Sequence, residues 1–258
     1  MAEFLTLRPR LARGEMLFSF AVTFPCAEML ETLKGQWDWL WLESQHAVWD
    51  EVQLLEMQRA AEVAGIPSII RIPDQSYGRI GHALDTGASG VMVPMVSTGA
   101  QAEAVVEAGR YPPAGHRSYG GRRPLGLYGA DYAGWANDLV TIMVQIETPE
   151  AVDNVEDIAA VSGIDVLFVG PADYKSHAGL PRETPATDPR MLDMFKKVAE
   201  AAKSAGKVPG AAVRDPDGVT ALAGMGYRVL GGGSDCGILW EGSARQYECM
   251  DELRRLLS

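Results

Sequence analysis

The sequence predicts a (β/α)8 TIM barrel forming one domain over residues 1–258, and three observations carry that expectation. Eight short apolar runs recur along the chain, and longer stretches with helical spacing of apolar residues lie between most of them. The runs are rich in β-branched residues and apolar throughout, as strands buried on both faces must be. No G-x-G-x-x-G follows the first run, which leaves a doubly wound open sheet as the weaker alternative.

In chain order the expected strands cover 16–22, 37–42, 68–72, 90–94, 141–146, 166–170, 208–213 and 227–230. The stretch 51–64 reads as a helix because Val52, Leu55, Ala60 and Ala61 share one side, with Gly65 placed to end it. Further helices are expected over 99–108, 148–161, 189–205 and 217–223, with Gly206 closing the long one. Two segments break the rhythm. Residues 110–137 are rich in Gly, Arg, Tyr and Pro and follow the fourth strand, as a lid or interface loop would. The last stretch, 238–257, reads as a helix carrying Leu239, Trp240, Leu253, Leu256 and Leu257, packed on the barrel or on a partner.

A net charge of −11 argues against a phosphate-backbone partner, which is usually met by clustered Lys and Arg. The local exception is Arg110, His116, Arg117, Arg122 and Arg123, a basic group suited to an anionic small molecule. Cys26, Cys236 and Cys249 show no C-x-x-C spacing and are expected to be reduced thiols. The segment 1–14 has no apolar core before a cleavage site, and no run approaches the roughly 18 apolar residues of a membrane helix, so a cytoplasmic location is expected.

Barrel active sites sit at the C-terminal ends of the strands. Polar residues at those ends are Glu43, Gln45 and His46 after the second strand, Arg71 on the third, Gln145 and Glu147 on the fifth, and Asp173 after the sixth. The 26 positions from Glu147 to Asp173 fit one strand-helix-strand unit, which sets both carboxylates on one rim, able to share a hard divalent cation. Taken singly, each residue has a plainer reading. His46 suits a hydrogen-bonded structural histidine, Glu147 and Asp173 suit acids in first helical turns, and Arg71 suits an ion pair with one of them. Asp85 reads as a surface acid at a helix end. Gly231–Ser234 reads as a strand-to-loop turn before it reads as a phosphate cradle. Convergence on one rim favours function for His46, Arg71, Glu147 and Asp173.

Six ordered blocks extend the reading: Trp39-Leu-Trp-Leu-Glu-Ser-Gln-His46, Ser68-Ile-Ile-Arg71-Ile-Pro73, Gly90-Val-Met-Val-Pro94-Met-Val96, Tyr111-Pro-Pro-Ala-Gly-His-Arg117, Gln145-Ile-Glu147-Thr and Val169-Gly-Pro-Ala-Asp173. In these blocks the chain resembles the HpcH/HpaI family of class II pyruvate aldolases, typified by 2,4-dihydroxyhept-2-ene-1,7-dioate aldolase, over nearly its whole length. The resemblance implies that Glu147 and Asp173 bind a divalent cation (Mg²⁺, Mn²⁺ or Co²⁺) that a 2-oxo acid chelates. It implies that Arg71 holds the keto oxygen and the developing enolate. The substrate carboxylate would meet backbone N–H groups at Gly170, Ala172 and Asp173, with Gln145 nearby, and His46, oriented by Asp85, would move the proton. Arg117 would lie near a subunit boundary. The expected reaction is reversible cleavage of a 4-hydroxy-2-oxo acid to pyruvate or hydroxypyruvate and an aldehyde, in a homo-oligomer, commonly a hexamer, whose last helix packs on a neighbouring subunit.

Those residue types suit the chemistry, since a cation and Arg71 stabilise enolate charge where it develops and a neutral histidine relays a proton at pH 7. Lys175 stands too close to Asp173 for an imine-forming role. The chain departs from the family at Glu43 and Gln45, where Asp and Glu are usual, and at Asp173-Tyr-Lys175, where Asp-Leu-Ser is common. Two alternatives remain: a citramalyl- or malyl-CoA-type thioester lyase, which needs a basic groove, and a barrel that binds without catalysing.

Overall fold

The computed structural model describes residues 5–257, so the first four residues of the segment 1–14 lie outside it. Eight parallel strands hydrogen-bond in sequence order into a closed barrel: β1 (Leu17–Val22), β2 (Trp39–Glu43), β3 (Ser68–Arg71), β4 (Gly90–Val93), β5 (Thr141–Ile146), β6 (Val166–Val169), β7 (Val208–Ala211) and β8 (Val229–Ser234). All eight expected strands form, within a few residues of their predicted bounds. The largest difference is β8, which continues through Gly231–Ser234 where a turn was expected, because Gly231, Gly233 and Ser234 remain in register with Ser19, Phe20 and Ala21 of β1 past an irregularity.

The first seven helices are α1 (Arg8–Ala12), α2 (Ala27–Glu31), α3 (Glu51–Ala64), α4 (Tyr77–Asp85), α5 (Gly99–Gly109), α6 (Arg122–Tyr128) and α7 (Tyr132–Leu139). After β5 come α8 (Pro149–Asp153), α9 (Val155–Ala160), α10 (Pro171–His177), α11 (Pro189–Ser204), α12 (Pro216–Met225) and α13 (Asp235–Leu257). Helix α3 starts on a reciprocal cap between Asp50 and Gln53 and stops at Gly65, whose φ of +70° places it in the left-handed region. The helix predicted over 148–161 is two helices, broken at Asn154, whose side-chain amide donates to the Ser97 carbonyl at 2.9 Å.

Side chains alternate between the barrel interior and the helical layer. Leu17, Trp39, Trp41, Met143 and Phe168 fill the interior, with Leu7 and Leu11 closing its lower end from the α1 region. The outward positions, among them Val22, Leu40, Ile70 and Val144, belong to the larger core under the helices. Helix α13 differs from the rest: Asp235 is its only buried residue, and Leu239, Trp240, Leu253, Leu256 and Leu257 are exposed. Among the described residues no helix is long and apolar enough to cross a membrane.

The expected lid at 110–137 contains α6, most of α7 and a tied connector, because its cations are consumed internally. Arg110 is buried and donates to Gly163, Asn137 and Val140 carbonyls and to Asp165. Arg123 pairs with Glu62, His116 with Glu107 and Arg117 with Asp85. The predicted basic group is therefore four separate side-chain pairs plus Arg122 and not one open cluster.

Candidate functional site

At the barrel mouth Trp41 and Glu43 of β2 point inward one above the other, and Trp41 Nε1 donates to Glu43 Oε2 at 3.1 Å. The same oxygen receives Arg71 Nε at 2.7 Å and Nη2 at 2.5 Å, while the guanidinium stacks over the Trp41 ring at 4.8 Å. Glu43 Oε1 accepts the backbone N–H groups of Gln45 and His46 at 2.8 and 2.9 Å. Glu43 thus saturates both oxygens, fixing Arg71 from one side and the loop after β2 from the other. Its longer arm serves a structural hub, and Arg71 forms its ion pair with Glu43 instead of with Glu147 or Asp173, the partners expected from the sequence.

Glu147 is not a helix cap. Thr148 fills that role for α8 through Ala151 N–H, and Glu147 turns inward, 1% exposed. Its Oε2 accepts from Met95 N at 3.0 Å, and Oε1 is buried with no partner. Met95 has φ +56°, an uncommon left-handed conformation for a side-chain-bearing residue, and its carbonyl accepts from Gln75 at 2.7 Å. Burial pushes the Glu147 carboxyl up to about 7; the Met95 N–H opposes this, Asp173 adds to it, and Arg71 and His177 oppose it. Gln145 is buried on the same strand face, and its Oε1 also lacks a partner.

Room for Glu147 comes from Gly170, where a Cβ would lie 2.3 Å from Oε1. This is a different use of Gly170 from the predicted one. Its N–H already donates to Ile146 at 3.3 Å, and Pro171 has none, so the N–H groups of Ala172 and Asp173 are those left at this turn. Asp173 stands in the first turn of α10 with its carboxylate making no cap bond. Two carboxylates, a buried oxygen without a partner, a neighbouring amide oxygen and no soft donor make a set that fits a hard divalent cation completed by water and substrate oxygens. Among the described residues no third His, Cys, Asp or Glu completes an enclosing cluster.

The structure does not join His46 to Asp85. Asp85 Oδ1 accepts from Arg117 Nη2 at 2.7 Å, because that arginine, 3% exposed and stacked on Tyr111 and Tyr132, has Asp85 as its carboxylate. His46 is exposed at the loop after β2. Sequence reasoning passed over Met95, whose signal lies in its backbone, and His177, which stands one turn beyond Asp173 and whose Nδ1–H donates to the Asp173 carbonyl, 3.0 Å away. It also passed over a cavity of about 320 Å³ on the opposite arc of the mouth. That cavity is lined by Ser19 and Ala21 of β1, Ala212 and Arg214 after β7, and Gly231–Ser234 of β8, and it reaches Glu43 and Arg71.

The family profile described as HpcH/HpaI aldolase/citrate lyase matches residues 16–241. A 4-hydroxy-2-oxovalerate aldolase of Novosphingobium aromaticivorans is 37% identical over 238 residues, covering 89% of this chain and 88% of that protein. A hydroxypyruvate/pyruvate aldolase of Sagittula stellata is 32% identical, covering 85% and 87%. The crystal structure of an HpcH/HpaI aldolase from Desulfitobacterium hafniense superposes with a TM-score of 0.89 at 25% identity, covering 96% of this chain and 97% of that one.

Proposed function

The chain belongs to the HpcH/HpaI aldolase/citrate lyase family, and on that premise we propose that it is a class II aldolase cleaving a 4-hydroxy-2-oxo acid reversibly to pyruvate or hydroxypyruvate and an aldehyde. The family's class implies a divalent cation, and Mg²⁺, Mn²⁺ or Co²⁺ is the one proposed here, held by Glu147 and Asp173. The observation that carries the reading is the buried Glu147 carboxyl, with one oxygen unmet by protein and Asp173 close enough to perturb it. A cation bound there supplies a Lewis acid for the 2-oxo acid.

The chain's own residues supply the rest. Arg71, locked by Glu43 and Trp41, presents fixed positive charge to the keto oxygen as it becomes an enolate oxygen. The free N–H groups of Ala172 and Asp173 hold the substrate carboxylate, and Gln145 closes the same side. His46 transfers the proton; Asp85, held by Arg117, anchors the 110–137 segment to the end of α4. Helix α13 leaves its apolar residues exposed in the single chain, which supports a homo-oligomer, with a hexamer as the order proposed.

The test uses chelator-stripped protein with pyruvate in D₂O, followed by NMR of the methyl signal with and without Mg²⁺. Metal-dependent loss of that signal, abolished in Glu147→Ala and in Asp173→Ala, is the expected result. Equal exchange in those folded variants, or none above a metal-only control with either pyruvate or hydroxypyruvate, overturns the assignment.

A further inference from the structure

The cavity on the β7–β8–β1 arc has an unusual charge balance. Its only lining carboxylate is Glu43, which is already matched by Arg71. The other cation is Arg214, exposed at the rim just after β7, and among the described residues no carboxylate pairs with it. Its neighbours on the chain do not neutralise it. Asp215 is spent on capping α12 through Gly218 N–H at 2.7 Å, and Asp235 accepts three backbone N–H groups, from Thr23, Phe24 and Cys236. The guanidinium lies against the first turn of α13, with Nη1 3.5 Å from where a Cβ on Gly237 would stand. A helix start also favours negative charge. Lower in the same cavity Ser19, 1% exposed, has a buried hydroxyl with no hydrogen-bond partner. Trp41, Thr23 and Ser234 complete the lining together with Ala21, Ala212 and three glycines, residues whose small or missing side chains leave space.

Arg71 belongs to both halves of the mouth, lining this cavity while its charge acts on Glu147. An enolate held against Arg71 therefore faces the cavity, and what occupies the cavity is the aldehyde it attacks. We propose that the cavity is the acceptor subsite and that Arg214 selects aldehydes ending in an anionic group, carboxylate or phosphate. This rests on the aldolase reading. In the addition direction the enolate carbon forms a bond to the aldehyde carbon and the aldehyde oxygen takes up a proton, so the distal anion is untouched and serves binding alone. A hydrogen-bonded charge pair lost at such a site costs about 10- to 100-fold in selectivity.

The experiment uses the metal-loaded enzyme with saturating pyruvate and paired acceptors: 4-oxobutanoate against its amide, and glycolaldehyde phosphate against glycolaldehyde. The wild type is expected to prefer one or both anions by at least 10-fold in kcat/KM, with the two pairs separating carboxylate from phosphate. The preference should collapse towards unity in Arg214→Gln and partly return in Arg214→Lys. Alongside, calorimetric binding of unreactive butanoate against butanamide reads the subsite without turnover. If pyruvate exchange fails but butanoate binding depends on Arg214, the aldolase reading falls and the anion subsite stands. If exchange succeeds while neutral and anionic acceptors react alike, or the preference survives Arg214→Gln, the proposal is overturned.

Discussion

Along β2, β3 and β5 the barrel mouth carries Glu43, Arg71, Gln145 and Glu147, whereas along β7, β8 and β1 it carries Ala212, Gly231, Gly233, Ser19 and Ala21. Apart from Gln145 the first arc is made of ionisable groups, most of them fixed by partners inside the protein: Arg71 by Glu43, Glu43 by two backbone N–H groups, one oxygen of Glu147 by Met95. The second is made by leaving side chains out, with a single unpaired cation at its edge. Preorganised charge suits a step common to a whole family of reactions, because such groups need not rearrange as the transition state forms. Empty space suits selection among substrates, since small residues decide what fits without touching the chemistry. The two arcs should therefore fail differently when changed.

The largest effect is expected from Arg71→Lys. The charge remains, but the fork that gives Nε and Nη2 to one Glu43 oxygen is lost, and so is the stack on Trp41. Pyruvate exchange should slow by about 10²- to 10³-fold, as on removal of one oxyanion donor. Loss confined to acceptor KM would show that the charged arc does not carry the common step.

Next is the pH dependence of the metal-free protein. Glu147 releases its proton near 4.5 when unfolded and at about 7 when folded. The folded state therefore holds a proton that the unfolded state has already lost, and the stability this provides is complete below 4.5 and lost as pH rises through about 7. The difference is about 3 kcal/mol. Urea midpoints from pH 4.5 to 8 should fall for the stripped wild type relative to Glu147→Gln, and metal affinity should rise across the same window as the proton is displaced. Parallel stability curves for the two proteins would remove the buried proton from Glu147.

Gly170→Ala should be somewhat milder. Its backbone, φ −97° and ψ 90°, accepts any residue, so the effect comes from the added methyl, 2.3 Å from Glu147 Oε1 and 2.8 Å from its Cγ. Glu147 must swing away from Met95. Metal affinity should drop by about 10- to 100-fold, as when a group orienting a ligand is lost, and titration calorimetry with Mn²⁺ reads it directly. Unchanged affinity would place the cation elsewhere.

The same contrast governs what the sequence could reveal. Alternation and apolar runs were enough for all eight strands, and Glu147 and Asp173 were readable as one rim because strand ends define it. The basic residues of 110–137 looked like a surface patch because their partners, Asp85, Glu62, Glu107 and Asp165, stand up to 61 positions away and pairing distance is not written locally. Gly170 was taken for a donor when its value is an absent Cβ, and Met95 acts through a backbone angle that composition does not encode. Gly231–Ser234 read as a turn for the same reason: a glycine signals room without saying for what. Charged arcs are legible residue by residue; hollow ones need the closed barrel around them.

The smallest effect, and the sharpest comparison with Gly170→Ala, is expected at Gly231→Ala. A methyl there meets only the Ala212 Cα at 3.4 Å and the next backbone atoms slightly farther out, which is ordinary contact. No charged group has to move, and Glu43 and Arg71 keep their geometry on the far side of the cavity. The cost should be volume alone: one methyl in a cavity of about 320 Å³ should raise acceptor KM by a few-fold up to about 10-fold, more for the bulkier of two aldehydes. Pyruvate exchange should be affected far less than acceptor use. Exchange loss matching that of Gly170→Ala would mean that the two arcs are one mechanical unit and that the division of labour between fixed charge and empty space is wrong. A size-dependent acceptor penalty with exchange nearly intact would locate selection on the β7–β8–β1 arc, independently of the charge that Arg214 adds to it.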